Sequence, residues 1–276
     1  MIVETVKTTD SSSPVGVRRG KTVEELVRTV SASRLNTFHS CRLKFYFAYV
    51  AGIPRRKSAA LHVGSSVHHV LKLWNLHRWR RVPIPDGSLK AQFEEYWTSH
   101  QVEEPITWDT DEEEDSKTTA WNLLTTYFKQ TPIPGNESAE GVEVSVNADL
   151  GSTQLIGIID LVRSRARIVE FKTSATTPNP DKAEHLHELQ CSCYAVMYRN
   201  ATGTKERSIE LHHLVKLKTP KLVVTELPPM SGKSEARLMR AVDSYLDGVY
   251  REDWVPNPNP MTCACCEFFN ECRRWS

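Results

Sequence analysis

Three stretches in succession, "GVEVSVNADL", "TQLIGIIDLVRS" and "ARIVEFKTS", alternate apolar and polar side chains across residues 141–174. A period near two is that of half-buried strands, and connections as short as these join neighbours that run antiparallel. Before them, from residue 31 onward, apolar residues recur with the helical period. After them the pattern reads helix over 182–200, strands over 208–218 and 221–229, and helix over 234–252. This order predicts an α/β fold, a sandwich of sheet and helices with a helical N-terminal extension.

In the extension, "SASRLNTFHSCRLKFYFAYV" reads as one helix capped by Ser31 or Ser33, with Leu35, Phe38, Leu43, Phe47 and Val50 on one face. "GSSVHHVLKLWNLHRWRR" reads as a second, its basic end suited to the helix dipole. Two more are expected over 88–101 and 116–129, separated by the acidic loop "DTDEEED". The division expected along the chain is a polar, loosely ordered segment 1–30 with a short helix near "TVEELVRTV", a helical region 31–140, a core 141–254 and a cysteine segment 255–276, with 31–276 forming one compact unit.

At 276 residues, 39% hydrophobic and 25% charged, the chain can bury a sizeable core and has the composition of a soluble globular protein. No signal-like start and no apolar run of bilayer length occur, which predicts a cytoplasmic protein with no membrane partner. A net charge of +1 gives no global signature of nucleic-acid binding, so any such surface must come from local clusters such as "RRK" at 55–57, "RWRR" at 78–81 and "KLKTPK" at 216–221. There is no Walker A sequence, hence no helicase motor.

The stretch "IVEFKTS" places Glu170 and Lys172 inside an otherwise apolar strand, on the same face. A bland reading is a solvated strand face. The preceding strand, however, carries Asp160 among Ile158, Ile159, Leu161 and Val162, and a tight connection at 164–166 would set Asp160 opposite Glu170. Opposed carboxylates repel unless a cation lies between them. Lys172 offsets part of this, and a divalent metal would neutralise more.

Taken in order, Gly64-Ser-Ser-Val-His68, Gly157-Ile-Ile-Asp160, Glu170-Phe-Lys172 and Gln190-Cys-Ser-Cys-Tyr194 resemble the RecB-like branch of the PD-(D/E)XK nuclease superfamily. That branch is marked by G-x-x-x-H on a helix, G-x-x-D and D/E-x-K on successive strands, and Q-x-x-x-Y on the next helix. The resemblance implies that His68, Asp160, Glu170 and the carbonyl of Phe171 hold Mg²⁺ or Mn²⁺. It implies that Lys172 orients the metal-bound water or stabilises charge on the scissile phosphate, and that Gln190 and Tyr194 position the metal shell or the DNA backbone. His69, one residue on, points about 100° away around the helix. One departure is Leu161, where many relatives carry Arg.

Seven cysteines in a cytoplasmic chain argue against a disulfide framework. Cys263-x2-Cys266-x5-Cys272 together with the remote Cys41 resembles the iron–sulfur staple of CRISPR-associated RecB-like exonucleases and of AddB-type subunits, implying a 4Fe–4S cluster. Tetrahedral zinc is the alternative. Cys265 is a substitute ligand in principle, and Cys191 and Cys193 are expected to be packing residues. The implied function is a metal-dependent DNA exonuclease on single-stranded ends, with endonuclease activity a further option. It would act in CRISPR adaptation with CRISPR integrase proteins as partners, or as a stand-alone or phage-encoded recombination or repair exonuclease. A nuclease-derived DNA-binding assembly subunit is the alternative of another class, and it would be expected to lack an active-site residue. None is missing.

Overall fold

The computed structural model describes residues 19–54, 57–103, 106 and 108–275. Most of the segment expected to be loose, 1–18, lies outside these residues, as do Arg55 and Arg56 of the first basic cluster. The end of that segment is ordered. Helix α1 (Val23–Arg28) opens with a capping box in which Thr22 and Glu25 satisfy each other's backbone N–H, and strand β1 (Thr29–Val30) follows directly. Leu26 and Val30 are fully buried, so α1 and β1 contribute side chains to the core.

The long first helix expected over 31–50 is broken. It consists of α2 (Ala32–Ser40), α3 (Arg42–Phe45) and a π-helical turn (Tyr46–Val50), with Cys41 between them in extended backbone at φ −164°. The apolar pattern continues through the break because its two halves bury in different places: Leu35 and Phe38 in the main core, Leu43 and Phe47 against Phe268 near the cysteines. Helices α4 (Ala59–Arg80), α5 (Ser88–Glu103) and α6 (Glu112–Gln130) follow. Glu112, Glu113, Glu114 and Asp115, expected in a loop, form the first turn of α6, where carboxylates meet the positive end of the helix dipole.

Strands β2 (Gly141–Asp149), β3 (Gln154–Arg163) and β4 (Arg167–Ser174) form the meander; α7 (Pro180–Thr202), β5 (Ser208–Val215), β6 (Lys221–Leu227) and α8 (Gly232–Tyr250) come next, and the short helices α9 (Pro260–Ala264) and α10 (Phe269–Arg273) carry the last cysteines. The sheet is mixed, in the order β1-β3-β4-β5-β6 with β2 on the other side of β3; β4 and β5 are parallel, as the α7 crossover requires. One face packs on α1, α2, α7 and α8 around Leu155, Ile168 and Tyr245, and the other on α4, α5 and α6 around Val169, Phe171 and Tyr127.

Two irregularities place the candidate site. The β3–β4 ladder holds only three pairs, from Arg163–Arg167 to Leu161–Val169, after which β4 continues along β5 while β3 departs from it. The β2–β3 pair also bends. Val144, Val146, Leu155 and Ile159 pack on the first face, yet Val142 and Leu161, which strict alternation would send there too, bury in the second core. The bend falls at Glu143, whose φ is +51°.

Candidate active site

The fork where β3 and β4 part is lined by the charged residues of both strands. The tight connection at 164–166 occurs as expected, with Arg165 and Ala166 at positive φ. Its register would make Asp160 and Glu170 the next pair. Instead the ladder stops, and Asp160 Oδ2 accepts the Phe171 backbone N–H at 2.9 Å. The carboxylate thus replaces a strand partner at the mouth of the fork.

Glu170 is 5% exposed. Its Oε1 accepts from Lys172 Nζ and from Gln190 Nε2, both at 2.8 Å, while Oε2 is buried with no hydrogen-bond partner. Gln190 Oε1 accepts a second proton of Lys172 at 2.6 Å, and Gln190 Nε2 also donates to Tyr194 Oη at 2.9 Å. One amide therefore fixes the carboxylate, the ammonium and the phenol together. Burial pushes the Glu170 carboxyl above its ordinary range, Asp160 adds to this, and Lys172 opposes it. The Tyr194 phenol is likewise raised by burial and by Glu170.

From the other face α4 supplies His68, whose Nδ1 lies 3.5 Å from Asp160 Oδ1. Burial alone would lower its pKa, but the bond to Asp160 and the charges of Asp160, Glu170 and Glu143 raise it. His69 is turned away: its ring stacks on Tyr96 at 4.1 Å, and Tyr96 stacks on His100 at 3.7 Å. Of the two motif glycines, Gly157 is held by close packing, while Gly64 would leave an added Cβ only in ordinary contact. A Cβ on Gly157 would stand 2.7 Å from Cε of Met197 on α7, and one on Gly64 would stand 3.4 Å from Oγ1 of Thr173 on β4. Leu161, at the departure from the family pattern, is buried in the second core.

Sequence reasoning missed three neighbours. Glu143 on β2 lies within electrostatic reach of Asp160, His68 and Glu170, and burial followed by Asp160 raises its carboxyl. His213 on β5 is in register with Lys172, and its ring faces that of His187 on α7 at 5.6 Å. Burial, then the charges of His187 and Lys172, lower His213 to about 4, so it stays neutral at physiological pH.

The cysteines collect elsewhere. Cys41, Cys263, Cys266 and Cys272 line one apolar cavity with Leu43, Phe47 and Phe268. Cys41 Sγ accepts the backbone N–H groups of Lys44 at 3.5 Å and Asn257 at 3.4 Å. Cys265 is exposed, its thiol against the Met261 carbonyl at 3.7 Å. Cys191 and Cys193 are buried in α7, and burial pushes both thiols up to about 12. Among the described residues no three His, Cys, Asp or Glu side chains already stand at metal-holding distance of one another. The residues nonetheless suit the implied groups: Glu170, with Oε2 unpartnered, lies within electrostatic reach of Asp160 and His68, a donor set for a divalent cation, and an apolar cavity lined by four thiols with N–H groups aimed at one sulfur suits a thiolate-bound centre.

The comparison that decides the family is the match of a PD-(D/E)XK nuclease superfamily model to residues 29–273. The chain belongs to the PD-(D/E)XK nuclease superfamily. Nucleases of this superfamily typically use divalent metals such as Mg²⁺ or Mn²⁺. Among solved structures, a protein from Eubacterium rectale provisionally described as an exonuclease superposes with a TM-score of 0.61 at 15% identity, over 88% of this chain and 89% of that one. SSO0001 gives 0.38 at 13% identity over 88% and 95%, and LHK-Exo in complex with dAMP gives 0.29 at 11% over 79% and 93%. The first shows a shared fold, and the other two carry no argument. No curated protein matches the chain in sequence. No helix among the described residues is long and apolar enough to cross a membrane.

Proposed function

We propose that this PD-(D/E)XK nuclease is a divalent-metal-dependent DNA exonuclease acting on single-stranded ends. The observation that carries the reading is the single amide of Gln190 holding Lys172 and Glu170 at the fork where Asp160 caps β4. His68, Asp160, Glu170 and the carbonyl of Phe171 would hold Mg²⁺ or Mn²⁺, which when bound supplies Lewis-acid polarisation of the phosphate and a more acidic water. Lys172 Nζ is the cation available to charge that builds on the phosphate oxygens, and the fixed amide spares it reorganisation at the moment of reaction. Tyr194 keeps the amide from flipping by accepting from its Nε2.

The four-thiol cavity supports a 4Fe–4S cluster as a structural staple between α3 and the α9–α10 segment, and with it a role among the CRISPR-associated RecB-like exonucleases that trim prespacer ends beside integrase proteins. The test is an assay of end-labelled single- and double-stranded DNA with Mn²⁺ or Mg²⁺, using anaerobically purified protein. Stepwise shortening of the single strand is expected. Intact DNA with both metals would overturn the nuclease reading, and a gene neighbourhood without integrase genes would overturn the CRISPR assignment alone.

A further inference from the structure

Glu143 is the residue of this site that no motif names. The pairs on either side of it, Val142 with Leu161 and Val144 with Ile159, set it opposite Asp160, and on the other flank Glu170 stands one residue past Val169, where the β3–β4 ladder ends. The three carboxylates, one each from β2, β3 and β4, thus make a row at the fork, within electrostatic reach of one another. Helix α4 confirms the direction of the first two: His68 reaches Asp160, and Lys72, one turn further along the same face, reaches Glu143 Oε2 at 4.0 Å. The row includes Glu170 Oε2, buried and without a hydrogen-bond partner, an acceptor oxygen left free to meet a cation.

The backbone at Glu143 adds to this. A non-glycine residue at φ +51° inside a strand is strained, and such strain persists where the surrounding structure demands it. Glycine would fill the conformation without strain. A carboxylate there brings a third negative charge to a place where two already repel, and Lys72, half-exposed and 4.0 Å away, offsets only part of that repulsion.

We propose that Glu143 is a further metal-holding residue, the third carboxylate of the Glu143–Asp160–Glu170 row. This rests on the metal-site reading above. The experiment is calorimetric titration with Mn²⁺ alone, without DNA, for the parent protein, Glu143→Gln, Glu143→Asp, Glu143→Gly and Asp160→Asn, with melting measured in chelator. Glu143→Gln is expected to weaken Mn²⁺ binding about 10-fold or more, the scale of lost metal-supporting groups, and Glu143→Asp to recover part of it. Glu143→Gly should weaken Mn²⁺ binding as much while melting higher in chelator, since it relieves the backbone. Parental Mn²⁺ affinity in Glu143→Gln alongside its loss in Asp160→Asn would overturn the role of Glu143 alone. Parental affinity in Asp160→Asn as well would overturn the metal site itself.

Discussion

Phe171 donates its backbone N–H to Asp160 Oδ2 at 2.9 Å, where Asp160 is one position and Phe171 two positions beyond the last pair of β3 and β4, Leu161 with Val169. The motif carboxylate therefore has a structural duty besides any chemical one: it occupies the place a strand partner would take.

Asp160→Ala should accordingly differ from Asp160→Asn. The alanine leaves a part-buried N–H without a partner, at a cost of about 1–3 kcal/mol, whereas the asparagine oxygen can still accept it. Urea unfolding in chelator measures the difference, and both variants should lose cleavage. Equal midpoints would show that the bond adds nothing to stability.

Glu170 gives a pH-dependent signature. Its carboxyl is raised in the fold, chiefly by burial, so above the raised value the metal-free protein carries a penalty that disappears as the pH falls through it and the carboxyl takes up a proton. In chelator, Glu170→Gln should melt above the parent at high pH, and the gap should close as the pH falls. A gap that widens towards acid would contradict the burial effect.

The acid limb of unfolding should be governed elsewhere, at Glu137. Burial would raise its carboxyl, but the guanidiniums of Arg163 and Arg167, at 2.8 and 3.0 Å, hold it down to about 2. A depressed carboxyl stabilises the fold above its ordinary range near 4.5 and loses that contribution as the pH falls towards 2. Glu137→Gln should be less stable at neutral pH and show a flatter decline between these values, as followed by circular dichroism.

Thiol chemistry should sort the cysteines into three groups. Cys265, exposed, should alkylate first; Cys191 and Cys193, with thiols raised to about 12, should remain unlabelled until the protein unfolds. Serine at Cys41, Cys263, Cys266 or Cys272 should bleach the brown colour of anaerobic protein, and Cys265→Ser should not. A colourless parent containing one zinc would replace the cluster with a tetrahedral site.

The sheet was legible because most strand stretches of the meander alternate and its turns are short, so the 164–166 connection and the first pairs it sets could be read from spacing, but the Asp160–Glu170 pair expected next is not formed. The grouping of Asp160, Glu170, Lys172, Gln190 and Tyr194 was legible through the resemblance, and the structure gathers these side chains at one fork. Glu143 escaped notice because alternation alone makes "VEV" an ordinary half-exposed strand; the bend that turns it towards α4 is a backbone conformation that no side-chain pattern encodes. Cys41 looked like one more helical position for a similar reason. Its neighbours keep the helical period although they bury in separate places, and its extended backbone serves to aim a sulfur at two N–H groups.

The contact from Asn257 N–H to Cys41 Sγ closes a loop spanning 216 residues. During synthesis the nuclease sheet, complete by β6, can pair and pack before any of α9 or α10 has left the ribosome. The thiol-lined cavity cannot exist until residue 272 has emerged. Cys41 is therefore made long before the three cysteines that complete the cavity, and that cavity closes only once the strands of the sheet have all been synthesised.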